Sequence, residues 1–350
     1  MLYLDANATE SPRPEALAAA TRAMALGGNA SSVHGQGRAA RKVLEDAREA
    51  IAAHFGAAPA DTVLTAGGTE ANALALHGFS HARRILAGAT EHAAVRAFPH
   101  TPIPVLADGT LDLSALAVLL AQGPALVAIM AANNETGVLH PLAEVAGLCR
   151  AHGAHLHVDA VQTAGRSALP GGWDSVALSG HKLGGPMGAG ALLLAPGLQP
   201  RALVAGGGQE RGRRGGTEPL PAIAGMAAAL GAAPAGHLRG LRDAIEAGLP
   251  GGVVVAGQAA PRLPNTTHLV LPGIAAERQV MMLDRLGICV SAGAACSSGK
   301  VARSHVLEAM GFGADAGCGI RVSLPWDAAP DTAERFLAGY HAVLERVLRR

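Results

Sequence analysis

Net charge is the first thing this 350-residue chain lacks: 28 Lys and Arg against 27 Asp and Glu leave a formal +1 at pH 7. That balance gives no electrostatic basis for nucleic acid or a membrane surface as the main partner. Cysteine is sparse as well. Cys149, Cys289, Cys296 and Cys318 form no CxxC pair and no Cys/His spacing suited to zinc, so neither a metal site nor a disulfide framework is expected. Long hydrophobic runs are missing too. The most apolar stretch, 115–132, is broken by Gln122, Gly123 and Pro124 and falls short of a membrane span. Met1-Leu-Tyr-Leu-Asp lacks the basic start and apolar run of a secretory signal. The expectation is a soluble, cytoplasmic protein.

Aromatic residues supply only 3% of the chain although hydrophobic residues supply 49%, and there are 46 glycines. A core made mainly of Ala, Leu, Val and Gly suits alternating strands and helices with close backbone approaches, not disorder. The length permits two domains, or one large domain with an appendage.

Apolar periodicity predicts helices over 15–25, 38–55 and from 71 to 77, with a polar loop at 29–37. Short buried strands are predicted at 62–65, 84–86, 126–130, 155–159, 175–178 and 189–194, alternating with helices, which implies a mostly parallel sheet. From about residue 206 the texture turns Gly-rich, then helical. Short strands around 253–257, 265–272 and 288–293 follow, with helices at 276–286 and 332–350. The expected architecture is α/β: a large domain over 15–245, and a smaller α+β domain formed by 1–14 plus 246–350.

The chain is organised around 155–186, HLHVDAVQTAGRSALPGGWDSVALSGHKLGGP. Its two predicted strands stop abruptly at polar residues, the first delivering Asp159 and Gln162, the second Ser179, His181 and Lys182. Lysine is rare: only Lys42, Lys182 and Lys300 occur, and only Lys182 directly follows a buried strand. Held among small residues, it is placed to act as the amine of a Schiff base. Thr69, His92, Asn134, Asp159 and Lys182 all lie just past the carboxyl ends of predicted strands, the edge at which open α/β sheets bind ligands.

Other motifs admit two readings from the residues alone. Gly67-Gly68-Thr69-Glu70 suits a phosphate cradle at a helix N-terminus or an ordinary helix cap. His92 is an acid/base or ring-stacking candidate, or an incidental histidine. Arg321, in a short apolar strand, grips a carboxylate or forms a domain-interface salt bridge. Cys296, in GAACSSGK, is either a nucleophile in a small polar loop or an inert thiol. The segment is no P-loop, because its spacing is one residue too long and Val301 stands where magnesium binding needs Ser or Thr. The basic run 211–214 is flanked by glycine without interleaved aromatics and fits a phosphate-facing loop better than nucleic acid.

In order along the whole chain, YLDANAT, GNASSVHGQGR, TAGGTEAN, TEHAAV, ANNETG, HVDAVQTAG, SGHKLGGP, GGGQERGRRGGT, LPNT, SAGAACSSGK, SHVLEAMG and IRVSL resemble the NifS/IscS-like cysteine desulfurases of the class V aminotransferase group. The resemblance implies a fold-type I pyridoxal 5'-phosphate enzyme that converts L-cysteine to L-alanine and leaves the sulfur as a persulfide on Cys296. It implies that Lys182 carries the cofactor, Asp159 pairs with the pyridine nitrogen, Gln162 contacts the phenolic oxygen, and His92 stacks on the ring and moves protons. Gly68, Thr69, Ser179 and His181 would hold the phosphate, with Thr217 supplied by the other subunit of a homodimer. Asn134 and Arg321 would hold the substrate carboxylate. A sulfur-acceptor protein, in iron–sulfur cluster assembly or another pathway, completes the set of partners.

The sequence departs from the family pattern at three places. It reads Asp5-Ala6-Asn7-Ala8-Thr9-Glu10 near the start, Arg303 stands where proline is common, and Pro325-Trp326 replaces a usual Gly-Arg. The chain ends at Val347-Leu-Arg-Arg, without the extension by which housekeeping members dock an iron–sulfur scaffold, so service of a standard scaffold in the standard way is not expected and the acceptor is left open. Two further readings on the same residues are selenocysteine lyase or another class V lyase or aminotransferase, and a non-catalytic assembly partner.

Overall fold

Runs of Val, Leu, Ile and Ala too short for helices, separated by helical stretches, collapse into one seven-stranded sheet with helices on both faces. The structure is a computed structural model, and it describes residues 1–81, 83–232, 236–293 and 303–348. A two-residue strand β1 (Leu2–Tyr3) precedes helices α1 (Pro14–Ala25) and α2 (Gly35–His54). The large sheet then takes β2 (Thr62–Thr65), β3 (Arg84–Gly88), β4 (Thr101–Ile103), β5 (Ala125–Met130), β6 (His155–Asp159), β7 (Ser175–Ser179) and β8 (Gly190–Leu194). Its order is β2-β8-β7-β6-β5-β3-β4. All its pairings are parallel except those of β8, which runs antiparallel to both β7 and β2.

The two faces of the sheet carry different cores. On one, Leu156 and Val158 of β6 join Ile129, Val176 and Leu193 under α1, α2 and the helix Leu220–Leu230. On the other, Leu126, Ala128 and Leu192 pack against Ala71, Leu74 and Ala75 of helix α3 (Gly68–Phe79). Three glycines permit this close stacking. A Cβ on Gly190 would lie 2.6 Å from the backbone of Gly67 and of Leu178, one on Gly78 2.6 Å from Pro200, and one on Gly225 2.4 Å from Pro186.

A second, antiparallel sheet has the order β12-β13-β10-β9, formed by β9 (Val254–Val255), β10 (Thr266–Val270), β12 (Ser291–Ala292) and β13 (Gly319–Ser323). Between them in sequence, β11 (Ile288–Cys289) pairs in parallel with β1, which stitches the N-terminus to this half. The predicted strand over 288–293 is therefore two strands in two sheets. The second core gathers Leu2, Leu4, Leu269, Ile320, Phe336 and Tyr340. It also takes Leu238 and Ile245 of the helix Leu238–Ala247, so a boundary at 245 cuts an element of this core. Among the described residues, no helix is long and apolar enough to cross a membrane.

Candidate active site

Because β2 and β7 both oppose β8, while β3, β5 and β6 run parallel to β7, the carboxyl ends of these five strands share one edge. Gly68 and Thr69 follow β2, His92 follows β3, Asn134 follows β5, and Asp159 closes β6. Ser179 closes β7, and the tight turn Gly180–Lys182 carries His181 and Lys182. The sheet topology thus gathers onto one edge the residues that the sequence scatters over more than a hundred positions.

Lys182 donates from Nζ to the carbonyl oxygens of Asn7 and, at 2.9 Å, Ala8. Burial lowers its pKa to about 8, with Arg321 and Arg166 adding to the effect and Asp5 and Asp159 opposing it. An amine in that state is free to attack a carbonyl near neutral pH. Asp159 is buried. Its Oδ2 accepts from Asn72 Nδ2 at 2.7 Å and its Oδ1 from the Val161 N–H at 3.0 Å. Burial raises its pKa, while the Val161 N–H, His92, Asn72 and Lys182 pull it down. His92 caps helix α4 (Ala93–Arg96), its Nδ1 accepting from the Ala94 N–H at 3.1 Å, so the neutral ring carries its proton on Nε2. Partial burial lowers the His92 pKa, Asp159 opposes the shift and Lys182 adds to it.

The first turn of α3 begins at Gly68, and the earliest amides of a helix have no carbonyl partner within it. A Cβ on Gly68 would lie 2.6 Å from Val161 Cγ2 and 3.2 Å from Ser179 Cβ, so only glycine fits this approach. The Gly67-Gly68-Thr69-Glu70 motif thus runs into the first turn of α3, the kind of helix start that favours an anion. Thr69 is exposed and Ser179 buried. His181 pairs through Nδ1 with Thr9 Oγ1 at 3.2 Å, and burial, Lys182 and Arg166 lower its pKa to about 4. That shift favours the neutral ring at neutral pH.

The arginines of the basic run are spent within the protein. Arg211 and Arg213 donate to the Ala60 carbonyl oxygen at 3.0 and 2.8 Å, and Arg214 Nε reaches Glu70 Oε1 at 2.8 Å. Glu210 and Arg211 sit at φ 48° and 57°, a region L-residues avoid. Glu210 is held there by a buried bidentate pair with Arg48, at 2.6 and 2.8 Å, and by the Leu64 N–H. The arginines build the loop that presents Thr217, which is exposed.

At the other end of the edge, Arg321 Nη2 meets Asp5 Oδ1 at 2.6 Å and Nη1 meets the Asn134 carbonyl oxygen at 3.1 Å. Its buried Nε has no partner among the described residues. A buried donor left open in a native site marks where an acceptor belongs. The side-chain amide of Asn134 makes no hydrogen bond among the described residues. Gln162 is already committed, donating from Nε2 to Asn7 O at 3.0 Å and accepting from Arg166 Nη1 at 2.7 Å through Oε1.

Cys296 lies outside the described residues. The described residues on either side of its segment converge on Glu135, the neighbour of Asn134. Ser304 Oγ donates to Glu135 Oε2 at 2.6 Å, and a Cβ on Gly293 would lie 2.2 Å from that same oxygen. Among the described residues no cluster suited to a metal ion occurs, and Cys149 and Cys318 are buried. Burial raises both of these thiols, Cys149 to about 12.

Sequence reasoning passed over Asn7 and Asn72. Asn7 links both halves of the molecule: its Nδ2 donates to Asn134 O at 3.1 Å and Thr266 Oγ1 at 2.9 Å, its N–H donates to Ser323 Oγ at 3.0 Å, and its carbonyl oxygen receives Lys182 and Gln162. No local pattern in DANAT announces those contacts, which span up to 316 residues.

A lysine with a lowered pKa, a buried aspartate and a helix start gather on one sheet edge. The chain belongs to the class-V aminotransferase family, whose model matches residues 2–336. It is 42% identical to a cysteine desulfurase of Cereibacter sphaeroides, over 88% of this chain and 86% of that protein. It is 38% identical to an IscS-like cysteine desulfurase of Mycobacterium tuberculosis, over 93% of this chain and 91% of the relative. Among solved structures, a NifS-like protein from Rickettsia africae superposes with a TM-score of 0.92 at 32% identity, over 99% of both chains.

Family membership implies pyridoxal phosphate, and the residues present fit it. Gly68 packs its backbone against Val161 and Ser179 at the start of α3, Asp159 is buried with two donors fixing its carboxylate, and Lys182 stands within its electrostatic reach. The fold class, fold-type I α/β with a large mostly parallel sheet, agrees with the expectation from sequence.

Proposed function

We propose that this protein is a cysteine desulfurase that uses pyridoxal 5'-phosphate bound through Lys182, and that it transfers the sulfur of L-cysteine to Cys296. The observation that carries the reading is the pairing of Lys182, its pKa lowered to about 8, with a buried Asp159 on the edge that also presents the open Nε of Arg321. When bound, the cofactor supplies an electron sink beside the substrate α-carbon.

The chain's own residues do the rest. Asp159 keeps the pyridine nitrogen protonated, and the α3 amides with Gly68, Thr69, Ser179 and His181 hold the phosphate. Thr217 completes that cradle from the other subunit of a homodimer, which accords with its exposure on a loop pinned by Arg48 and Glu210. Gln162 contacts the phenolic oxygen once it exchanges its bond to the Asn7 carbonyl. Asn134 and Arg321 take the substrate carboxylate, and Lys182 and His92 Nε2 move protons. His92 also stacks on the ring.

The net step balances as L-cysteine plus the Cys296 thiol giving L-alanine plus the Cys296 persulfide. The carbon–sulfur bond breaks, a sulfur–sulfur bond forms, and the β-carbon gains the proton. Convergence of Gly293 and Ser304 on Glu135 supports the delivery of Cys296 to the substrate end. A sulfur-acceptor protein in the cytoplasm then takes the persulfide sulfur.

The test is to give the pyridoxal-phosphate-loaded protein L-cysteine and a thiol reductant, and to quantify alanine and sulfide together. Equimolar products, lost in Cys296→Ala and in Lys182→Ala, are expected. Pyruvate in place of alanine, or turnover that survives Cys296→Ala, points instead to elimination chemistry; no turnover with cysteine but turnover with selenocysteine points to the lyase reading.

A further inference from the structure

Strand β6 begins with alternation of an unusual kind. His155, His157 and Asp159 occupy every second position, so their side chains share one face of the sheet. Leu156 and Val158 take the opposite, apolar face. His157 lies directly opposite Ser175 of β7. Helix α3 packs across these strands and brings Asn72 over the row. Every polar atom then meets its neighbour. His155 Nε2 stands 3.3 Å from Ser175 Oγ, Ser175 Oγ 2.9 Å from His157 Nδ1, His157 Nε2 2.8 Å from Asn72 Oδ1, and Asn72 Nδ2 2.7 Å from Asp159 Oδ2. His157 and Asn72 are 0% and 1% exposed, so no water competes along the row.

With Asp159 ionised and His157 neutral, the protons in this row have one arrangement. A carboxylate only accepts, so Asn72 must present its amide N–H to Asp159 and its carbonyl to His157. His157 therefore donates from Nε2 and accepts at Nδ1, which turns the Ser175 hydroxyl toward His157 and makes Ser175 Oγ the acceptor for His155 Nε2. Reversing any link would aim the Asn72 carbonyl at the Asp159 carboxylate. Oriented chains of this kind polarise one another.

We infer that Asn72, His157 and Ser175 form a directional relay of positioning residues that holds Asp159 ionised and aimed for the pyridine nitrogen of the cofactor. It rests on the cofactor reading above but not on cysteine as the substrate. Burial and the neighbouring His155 lower the His157 pKa to about 3, so the ring stays neutral and works as a fixed dipole. The charged groups around Asp159 are His92, Lys182 and Glu91.

The experiment is equilibrium titration of the full-length apo-protein with pyridoxal phosphate from pH 5 to 9, read by the absorbance of the bound cofactor. Wild type is compared with His157→Leu, which removes the donor to Asn72, and His157→Gln, whose amide retains one. His157→Leu is expected to weaken binding about tenfold, the scale of a lost hydrogen bond supporting a charged group. Without that donor Asn72 is no longer held with its amide toward Asp159, which raises the Asp159 pKa, so the pH at which affinity fails on acidification moves upward. His157→Gln should recover most of both effects. Equal losses in the two variants, or no shift in His157→Leu, overturns the relay. Wild type that binds no cofactor overturns the cofactor reading instead. Should the His157 variants not fold, nitrogen NMR of the histidine-labelled wild type decides: a neutral His157 protonated on Nε2 throughout supports the relay, and a ring protonated on Nδ1 or titrating near its ordinary value contradicts it.

Discussion

Arg321 and Asp5 form an ion pair of 2.6 Å between residues 316 positions apart, fastening the start of the chain to the last strand of the second sheet. Only one guanidinium nitrogen is used by Asp5; a second binds the Asn134 carbonyl and the third, Nε, is open among the described residues. Arg321→Ala is expected to raise the KM for L-cysteine about tenfold or more, with a smaller effect on kcat, since charge-assisted bonds to a carboxylate act mainly in binding. Arg321→Lys should not restore it, because a single ammonium cannot span the same three directions. Steady-state kinetics checks both, and an unchanged KM in Arg321→Ala would remove Arg321 from substrate binding.

The lowered pKa of Lys182 has a consequence for cofactor loading. Only the neutral amine attacks the aldehyde, so the rate of loading of apo-protein should rise with pH through a midpoint near 8. A midpoint near the ordinary lysine value of 10.5 would contradict the influence of burial and of Arg321 and Arg166. Stopped-flow absorbance over a pH series gives the answer directly.

Buried histidines set an acid limit on stability. His140, His155, His157 and His268 are held neutral, with pKa values lowered from 6.5 to about 4, 4, 3 and 4, chiefly by burial. A lowered native pKa means that, between the two values, the unfolded chain binds more protons than the native one. Stability is therefore complete above about pH 6.5 and is lost progressively as the pH falls toward 4. Denaturant midpoints measured from pH 8 to pH 4.5 should fall steadily below pH 6.5; a flat profile there would show that these rings charge freely.

The strained turn at Glu210 and Arg211 depends on Arg48. Glu210 has no side-chain exposure, and removing its partner leaves an uncompensated buried carboxylate. Arg48→Leu is expected to lower stability by about 3 kcal/mol or more, and to loosen the loop that carries Thr217. Chemical denaturation with a parallel titration of cofactor affinity tests this. Full stability with full affinity would mean that the turn stands without the pair.

Much of the edge was legible because strand ends are local events. The apolar runs at β2, β5, β6 and β7 stop at the residues that the sheet then collects, and parallel pairing is what alternation with helices requires. What escaped is what depends on distant partners. Asn7 sits in a segment without periodicity, and its role exists only through Lys182, Asn134 and Thr266. His157 had a visible signal, the period-two row His155-His157-Asp159, yet without Asn72 above it the row has no direction. The run at 211–214 reads as a phosphate-facing loop, but composition cannot reveal that the Ala60 carbonyl and Glu70 claim its arginines.

Sulfur transfer to Cys296 is tested most directly by peptide-mapping mass spectrometry. The loaded protein is mixed with one equivalent of L-cysteine in the absence of reductant, alkylated, digested and mapped. One additional sulfur atom on the peptide containing Cys296, appearing with one equivalent of alanine and absent in Lys182→Ala, is the predicted result. Alanine formed with Cys296 unmodified, or the added sulfur found on Cys289 instead, would contradict it.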